Sequence, residues 1–103
     1  AVERTMRVIS RYADIVATHE ARLHITGTAA CRMATNTAEF FAQVQRVTGV
    51  APRLLSPRDE ARLAYLGATT SLPAVDGVTM VVDIGGASTE LTVGTSEVLD
   101  HRR

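Results

Sequence analysis

The sequence has few aromatic residues, no tryptophan and a single cysteine. Aromatic side chains make up 4% of the chain against 46% hydrophobic residues in total, so any core must be built from aliphatic side chains. The one cysteine, Cys31, excludes an internal disulfide and fits a reducing compartment such as the cytoplasm. At 103 residues, the chain is at most one domain's worth of sequence.

The sequence also lacks an excess of charge of either sign and a long apolar run. Eleven basic side chains balance eleven acidic ones, so the net charge gives no long-range attraction for nucleic acid or an anionic membrane. No run approaches the ~20 apolar residues of a membrane-spanning helix, and the first residues do not read as a signal peptide. We therefore expect no nucleic-acid partner and no membrane span, and a polyanion would have to bind to a local patch.

Apolar residues in the first two thirds of the chain recur at helical and strand periods in alternation. A helix is predicted over residues 2–18, because its apolar residues fall three or four apart on one face: Val2, Met6, Ile9, Ala13 and Val16. Short strands are predicted over 23–28 and 50–55, and helices over 36–47 and 57–71. Alternating strands and helices imply parallel strand pairing with right-handed crossovers.

Both later helices have start signals in the sequence. Asn36 followed by Glu39 has the spacing of a capping box. Ser56 and Pro57 form a strong helix start, and Asp59 is expected to be the partner of the Ser56 cap.

Residues 78–94 hold the chemically most suggestive pattern. A strand-like run ends in Asp83, residues 85–88 (Gly-Gly-Ala-Ser) follow, and a second strand-like run contains Glu90. We expect two antiparallel strands joined by a tight loop, in which glycine allows positive φ and close approach of an anion to backbone N–H groups. Two acids, a glycine loop and hydroxyl residues suit a phosphate with a divalent cation and an attacking water. An ordinary glycine turn with solvated carboxylates is the alternative.

Three segments, in chain order, resemble motifs of the exopolyphosphatase and guanosine pentaphosphate phosphohydrolase family, which belongs to the actin, sugar-kinase and Hsp70 superfamily. Residues 83–91, Asp-Ile-Gly-Gly-Ala-Ser-Thr-Glu-Leu, are similar to its second phosphate-binding loop, with Ala87 where the family usually has glycine. Residues 28–36, Thr-Ala-Ala-Cys-Arg-Met-Ala-Thr-Asn, are similar to its Thr-Ser-Ala-Leu-Arg-x-Ala-x-Asn segment. Residues 59–67, Asp-Glu-Ala-Arg-Leu-Ala-Tyr-Leu-Gly, resemble its Glu-Glu-Ala-Arg-Leu-x-Tyr-x-Gly helix.

The resemblance implies an α/β fold. It would be a partial RNase-H-like lobe of the actin-like ATPase type, with parallel strands and crossover helices followed by an antiparallel β-hairpin. Residues 1–73 would be part of the first lobe without its N-terminal hairpin strands, residues 74–77 a linker, and residues 78–103 the start of the second lobe. Because the family's Asp-x-Gly-Ser-Asn loop does not occur in this sequence, the chain resembles a fragment.

The resemblance also implies a reaction and its residues. The enzyme would remove terminal phosphate from inorganic polyphosphate or guanosine pentaphosphate by Mg²⁺-assisted attack of water, and the fragment alone would be weakly active or inactive. Glu60 would activate the water, Asp83 and Glu90 would hold Mg²⁺ and the water, and phosphate would be bound by Arg32, Gly85, Gly86, Ala87, Ser88 and Thr89. These residue types suit a general base, a magnesium site and bidentate phosphate binding.

Structural interpretations of the same residues stay open. Glu60 in a first helical turn is stabilised by the helix dipole, Arg32 could pair with a nearby acid, and the chain could be a non-catalytic domain that binds anions or partners. The histidines show no metal-ligand spacing, so none is given a role. Because strands 23–28 and 50–55 would leave an open edge, we expect hairpin 78–94 to fill it or to pair with another copy, as a homo-oligomer or strand-exchanged dimer.

Overall fold

The computed structural model describes residues 2–73, 76–86 and 88–102. In chain order the described elements are α1 (Val2–Thr18), β1 (Thr26–Gly27), α2 (Ala29–Met33), α3 (Thr37–Thr48), β2 (Arg53–Leu54), α4 (Pro57–Thr69), β3 (Thr79–Ile84), β4 (Thr89–Gly94) and β5 (Val98–Arg102). Their contacts divide the chain into two compact units, Ala1–Leu54 and Leu55–Arg103.

The first helix, α1, spans the predicted residues and packs on α3. Its predicted apolar face is the less exposed side, since Met6, Ile9, Ala13 and Val16 are half-buried, although Val2 is exposed. None of its described residues is fully buried, so α1 covers one side of its unit and does not cross a core. No described helix, α1 included, is long and apolar enough to cross a membrane.

The predicted capping box at the start of α3 is wrong. Asn36 occupies the N-cap position but makes no side-chain capping hydrogen bond. Its ψ of 19° departs from the extended conformation in which an N-cap side chain reaches the N–H groups of the first turn. The Thr37 hydroxyl donates to the carbonyls of Cys31 and Ala34 and so links the start of α3 to α2.

The two strands of the first unit pair in parallel, as predicted, with Thr26 opposite Arg53 and Gly27 opposite Leu54. Each strand is two residues long, much shorter than predicted, and β1 ends just before the helix α2 begins, at Ala29. A Cβ on Gly27 would lie 2.7 Å from Phe41 Cζ and 2.9 Å from Cys31 Sγ. Glycine at this position therefore lets α2 and α3 approach the end of β1.

In the second unit, β3, β4 and β5 form an antiparallel sheet in that order, and α4 contacts all three strands. Asp83 lies opposite Glu90, and Thr92 opposite His101, with a β-bulge between Val93 and Gly94. The predicted hairpin is therefore confirmed. A third strand follows it and extends to Arg102.

The described strands form two separate sheets, so hairpin 78–94 does not fill the edge of the β1–β2 sheet within this chain. Pairing with another copy stays a prediction. The boundary between the two contact units lies between Leu54 and Leu55, ahead of α4, so α4 belongs with the hairpin. A division of the lobes at 74–77 also stays a prediction, and Ala74 and Val75 lie outside the described residues.

Candidate functional site

The first turn of α4 is fixed by the cap that the sequence predicts. The Ser56 hydroxyl accepts a hydrogen bond from the Asp59 backbone N–H at 3.1 Å and donates to Asp59 Oδ2 at 3.0 Å, and Pro57 occupies the start of the helix. The Glu60 N–H donates to the Ser56 carbonyl at 2.9 Å. Because this turn is tied at both its backbone and its side chains, the half-buried Glu60 has a well-defined backbone position.

The buried face of α4 shows how the helix lies on the sheet. Ala61 and Tyr65, one turn apart, are each 1% exposed. The Tyr65 hydroxyl donates to the Thr95 carbonyl at 2.8 Å, and a Cβ on Gly94 would lie 2.9 Å from Tyr65 Cζ. Thr69, farther along α4, lines a cavity with Thr95 at that same end of the sheet. The amino-terminal turn with Glu60 therefore lies on the side of Tyr65 that is nearer the hairpin loop.

Asp83 and Glu90 come together at the loop end of the sheet. They are direct partners in the β3–β4 register, and partners in an antiparallel pair point to the same face with Cβ atoms about 5 Å apart. Glu90 is 3% exposed, whereas Asp83 is exposed. Because Gly94, which contacts Tyr65, lies on the same face as Glu90, both carboxylates are on the side that α4 covers.

Glu90 is the most unusual side chain of this face. Neither of its carboxylate oxygens has a hydrogen-bond partner among the described residues. His101 Nε2 lies 3.8 Å from Glu90 Oε2, beyond hydrogen-bond distance but within the distance of an ion pair when the imidazole is protonated. A carboxylate buried without hydrogen bonds costs free energy unless it is paired with a charge or coordinates a metal ion. Glu90 therefore offers hard oxygen ligands in a position where a cation would stabilise them.

The loop between the strands is closed by a hydrogen bond from the Gly85 N–H to the Ser88 carbonyl at 2.8 Å. The positive φ that glycine allows is not used in this loop, since among the described glycines only Gly49 and Gly77 adopt it. Gly85 is packed closely, because an added Cβ would lie 3.3 Å from the Ser88 carbonyl oxygen. Nothing lies within 4 Å of the Cβ position of Gly86, so its backbone faces open space.

The remaining predicted phosphate ligands differ in what the structure shows of them. Ser88 is half-buried, and Thr89 is exposed at the start of β4. Ala87 lies outside the described residues. Arg32 is half-buried in the last turn of α2, within the first unit, and its contact with phosphate stays a prediction.

The residues present fit the predicted Mg²⁺ in ligand type. Within residues 2–73, 76–86 and 88–102 no three His, Cys, Asp or Glu side chains are grouped closely enough to hold a metal ion. Magnesium does not require such a group, because it keeps several waters and takes one or two protein carboxylates together with phosphate oxygens. Glu90 and Asp83 match that requirement, and the magnesium site stays a prediction.

Sequence reasoning missed His101. It has no metal-ligand spacing in the sequence, and it follows residues 97–99, which suggest only a short last strand. The pairing of Thr92 with His101 places the imidazole diagonally across from Glu90 on the same sheet face. The sequence does hold a signal for this placement. In a strand over 98–102, Leu99 and His101 would face one side and Val98, Asp100 and Arg102 the other.

Comparison with known proteins identifies the family. The profile of the Ppx/GppA phosphatase family matches residues 1–101. The crystal structure of a Ppx/GppA family member from Aquifex aeolicus is similar with a TM-score of 0.85 and 32% identity, over 98% of this chain and 33% of that one. An exopolyphosphatase-like protein is similar with a TM-score of 0.89 and 33% identity, over 98% of this chain and 34% of that one. An exopolyphosphatase from Cytophaga hutchinsonii has a TM-score of 0.89 and 24% identity, over 98% of this chain and 33% of that one. At this identity it supports the fold alone.

The chain spans about a third of the length of these solved relatives. Its parallel strand pair, crossover helices and antiparallel sheet correspond to the actin-like domains of those proteins, which confirms the predicted α/β fold. Three observations point to the same family: the three motifs in chain order, a fold shared over nearly the whole chain, and a profile match through residue 101. The chain belongs to the Ppx/GppA phosphatase family.

Proposed function

We propose that this chain is part of a phosphohydrolase that removes terminal phosphate from inorganic polyphosphate or guanosine pentaphosphate by attack of water, with Mg²⁺ as cofactor. The observation that supports the proposal is the placement of Asp83 and Glu90 on the sheet face covered by the helix that contains Glu60. Asp83 and Glu90 share the sheet face that α4 covers, and Glu60 lies in the capped turn of α4 on the loop side of Tyr65. The exopolyphosphatase-like relative, 33% identical, favours polyphosphate as the substrate class.

In this proposal each group of residues has one task. Glu60 accepts a proton from the attacking water as the new P–O bond forms and the bridging P–O bond breaks. Asp83 and Glu90 hold the cation, which when bound neutralises charge on the phosphoryl oxygens. The 85–88 loop, open to approach at Gly86, binds phosphate oxygens through N–H groups other than that of Gly85, which donates to the Ser88 carbonyl. Arg32 contributes a bidentate contact.

The activity belongs in this proposal to the longer protein. The chain spans about a third of the length of its solved relatives. A substrate cleft needs two walls, and in this proposal the wall that faces Glu60, Asp83 and Glu90 is formed by sequence outside these 103 residues. The isolated chain is expected to bind phosphate weakly and to show little or no turnover.

The experiment that tests the function is phosphate release by a chimera in which these 103 residues replace the matching third of the exopolyphosphatase-like relative. With long-chain polyphosphate and Mg²⁺, we expect turnover that falls at least ~100-fold in Glu60→Gln, the low end of what a general base contributes. Arg62→Gln, an exposed change on the same helix, is the matched control and should leave turnover unchanged.

Parallel assays with guanosine pentaphosphate decide between the two substrates by their kcat/KM values. A folded chimera that hydrolyses polyphosphate equally well with and without Glu60→Gln would contradict the proposed role of Glu60. A folded chimera that binds polyphosphate but never releases phosphate would support the alternative, a non-catalytic anion-binding domain.

A further inference from the structure

The starting observation is a buried pair of groups with unmet hydrogen-bonding capacity. Glu90 Oε1, Glu90 Oε2 and His101 Nε2 are all buried, and none of the three atoms has a hydrogen-bond partner among the described residues. The side chains of Glu90 and His101 are 4% and 18% exposed, and Glu90 Oε2 lies 3.8 Å from His101 Nε2. Two polar atoms that face each other at this distance are too far apart for a hydrogen bond.

The sheet fixes this geometry. His101 is the register partner of Thr92, two residues after Glu90, so both side chains point to the same face and meet diagonally. Asp100 holds the local backbone by accepting from the His101 N–H at 2.9 Å, and its other oxygen pairs with Arg102 at 3.1 Å on the opposite face. The imidazole is therefore presented to Glu90 by β5 itself.

We propose that His101 is a further metal ligand, which supplies an imidazole nitrogen beside Glu90 and so shifts the cation site from Mg²⁺ toward a divalent transition metal. The inference rests on the proposed function only in taking Glu90 as a cation ligand. Imidazole nitrogen suits Zn²⁺, Co²⁺ or Ni²⁺, whereas Mg²⁺ prefers oxygen ligands alone.

The separation of the two atoms is compatible with one bridging ion. Metal–nitrogen and metal–oxygen bonds of about 2.1 Å each span at most about 4.2 Å, and the observed separation is 3.8 Å. An ion between them would satisfy both buried atoms at once. The remaining coordination positions would be filled by water and phosphate oxygens.

The test measures metal preference and ligand type in this chain. Dissociation constants for Co²⁺ and Mg²⁺ are measured by calorimetry, and the visible absorption of bound Co²⁺ reports nitrogen ligation. We expect Co²⁺ to bind at least ~10-fold more tightly than Mg²⁺, and His101→Gln to remove most of that preference. Glu90→Gln should weaken both metals, and His24→Gln, an exposed histidine outside the site, should change neither.

A measurement on the unmodified chain guards against a variant that does not fold. On addition of Zn²⁺, the ¹⁵N resonance of His101 Nε2 should shift while those of His19 and His24 do not. An unshifted Nε2, no binding of Co²⁺ or Zn²⁺ by the chain, or an unchanged preference in a folded His101→Gln variant would each overturn the inference. If the chimera is active but His101→Gln leaves its metal preference unchanged, the inference fails and the proposed function stands. If Glu60→Gln leaves turnover unchanged, the proposed role of Glu60 fails and the metal inference stands.

Discussion

On the sheet face that α4 covers, Glu90 and Thr92 are buried, whereas on the other face Met80, Val82 and Ile84 are 61%, 50% and 79% exposed. Soluble proteins usually show the reverse, with apolar side chains inside and charged ones outside. The same three strands carry both faces, so the difference arises from where α4 packs and not from the residue types. A buried carboxylate is unusual in a folded protein and marks a candidate functional site.

The largest expected effect is on the close packing around Gly94. In Gly94→Ala the new methyl would clash first with the Glu97 carbonyl of the following turn and would also lie 2.9 Å from Tyr65 Cζ of α4. We expect a loss of about 3 kcal/mol in the free energy of unfolding, typical of overpacking at a backbone contact. Urea denaturation gives the value, provided that the m-value is unchanged.

The matched control lies on α4 itself. Nothing lies within 4 Å of the Cβ position of Gly67, an exposed residue inside the helix. Gly67→Ala should therefore raise the free energy of unfolding by up to about 1 kcal/mol. A Gly94→Ala protein as stable as the Gly67→Ala protein would show that neither the Glu97 carbonyl nor Tyr65 packs closely on Gly94.

The next effect concerns the buried carboxylate. Because no described residue donates a hydrogen bond to either oxygen of the Glu90 carboxylate, Glu90→Gln should raise the free energy of unfolding by about 1–2 kcal/mol, since a neutral amide costs less to bury. The same change should weaken divalent-cation binding. Asp83 is exposed, so Asp83→Asn should weaken cation binding but change the free energy of unfolding by no more than about 0.5 kcal/mol. Destabilisation by Glu90→Gln would mean that the carboxylate is held by stronger contacts than those seen.

A smaller effect is expected for the hydroxyl of Tyr65, which donates to the Thr95 carbonyl at 2.8 Å. Tyr65→Phe should lower the free energy of unfolding by about 1 kcal/mol. Tyr12→Phe, on an exposed tyrosine of α1, is the control and should have no measurable effect. Equal effects of the two changes would show that the hydrogen bond from Tyr65 to Thr95 does not stabilise the fold.

The smallest effect is predicted for the exposed apolar face. Ile84→Thr should change the free energy of unfolding by no more than about 0.5 kcal/mol, because the side chain is already in water and threonine favours strands. A loss above about 1.5 kcal/mol would show that this face is covered in solution, for example by another copy of the chain. Thermal unfolding at two protein concentrations separates these cases.

The sequence was informative where local chemistry decides the structure. The Ser56 cap depends on neighbouring residues, and the Asp83–Glu90 hairpin follows from strand propensity around a glycine loop. The Asn36 capping box failed because φ and ψ at that residue are set by how α2 leads into α3. The strand lengths and the closeness of His101 to Glu90 depend on packing and on the β4–β5 register, which the sequence pattern alone does not specify.

The most direct test of the central claim locates the cation in the folded chain. Substoichiometric Mn²⁺ broadens backbone amide resonances according to their distance from the ion, and the six-residue strands separate the two ends of the sheet by roughly 17–20 Å. Broadening should begin at Asp83, Gly85 and Glu90 and reach Thr79 and Thr95 last. Broadening that is centred on the Thr95 end, or that spares Glu90 altogether, would contradict the account.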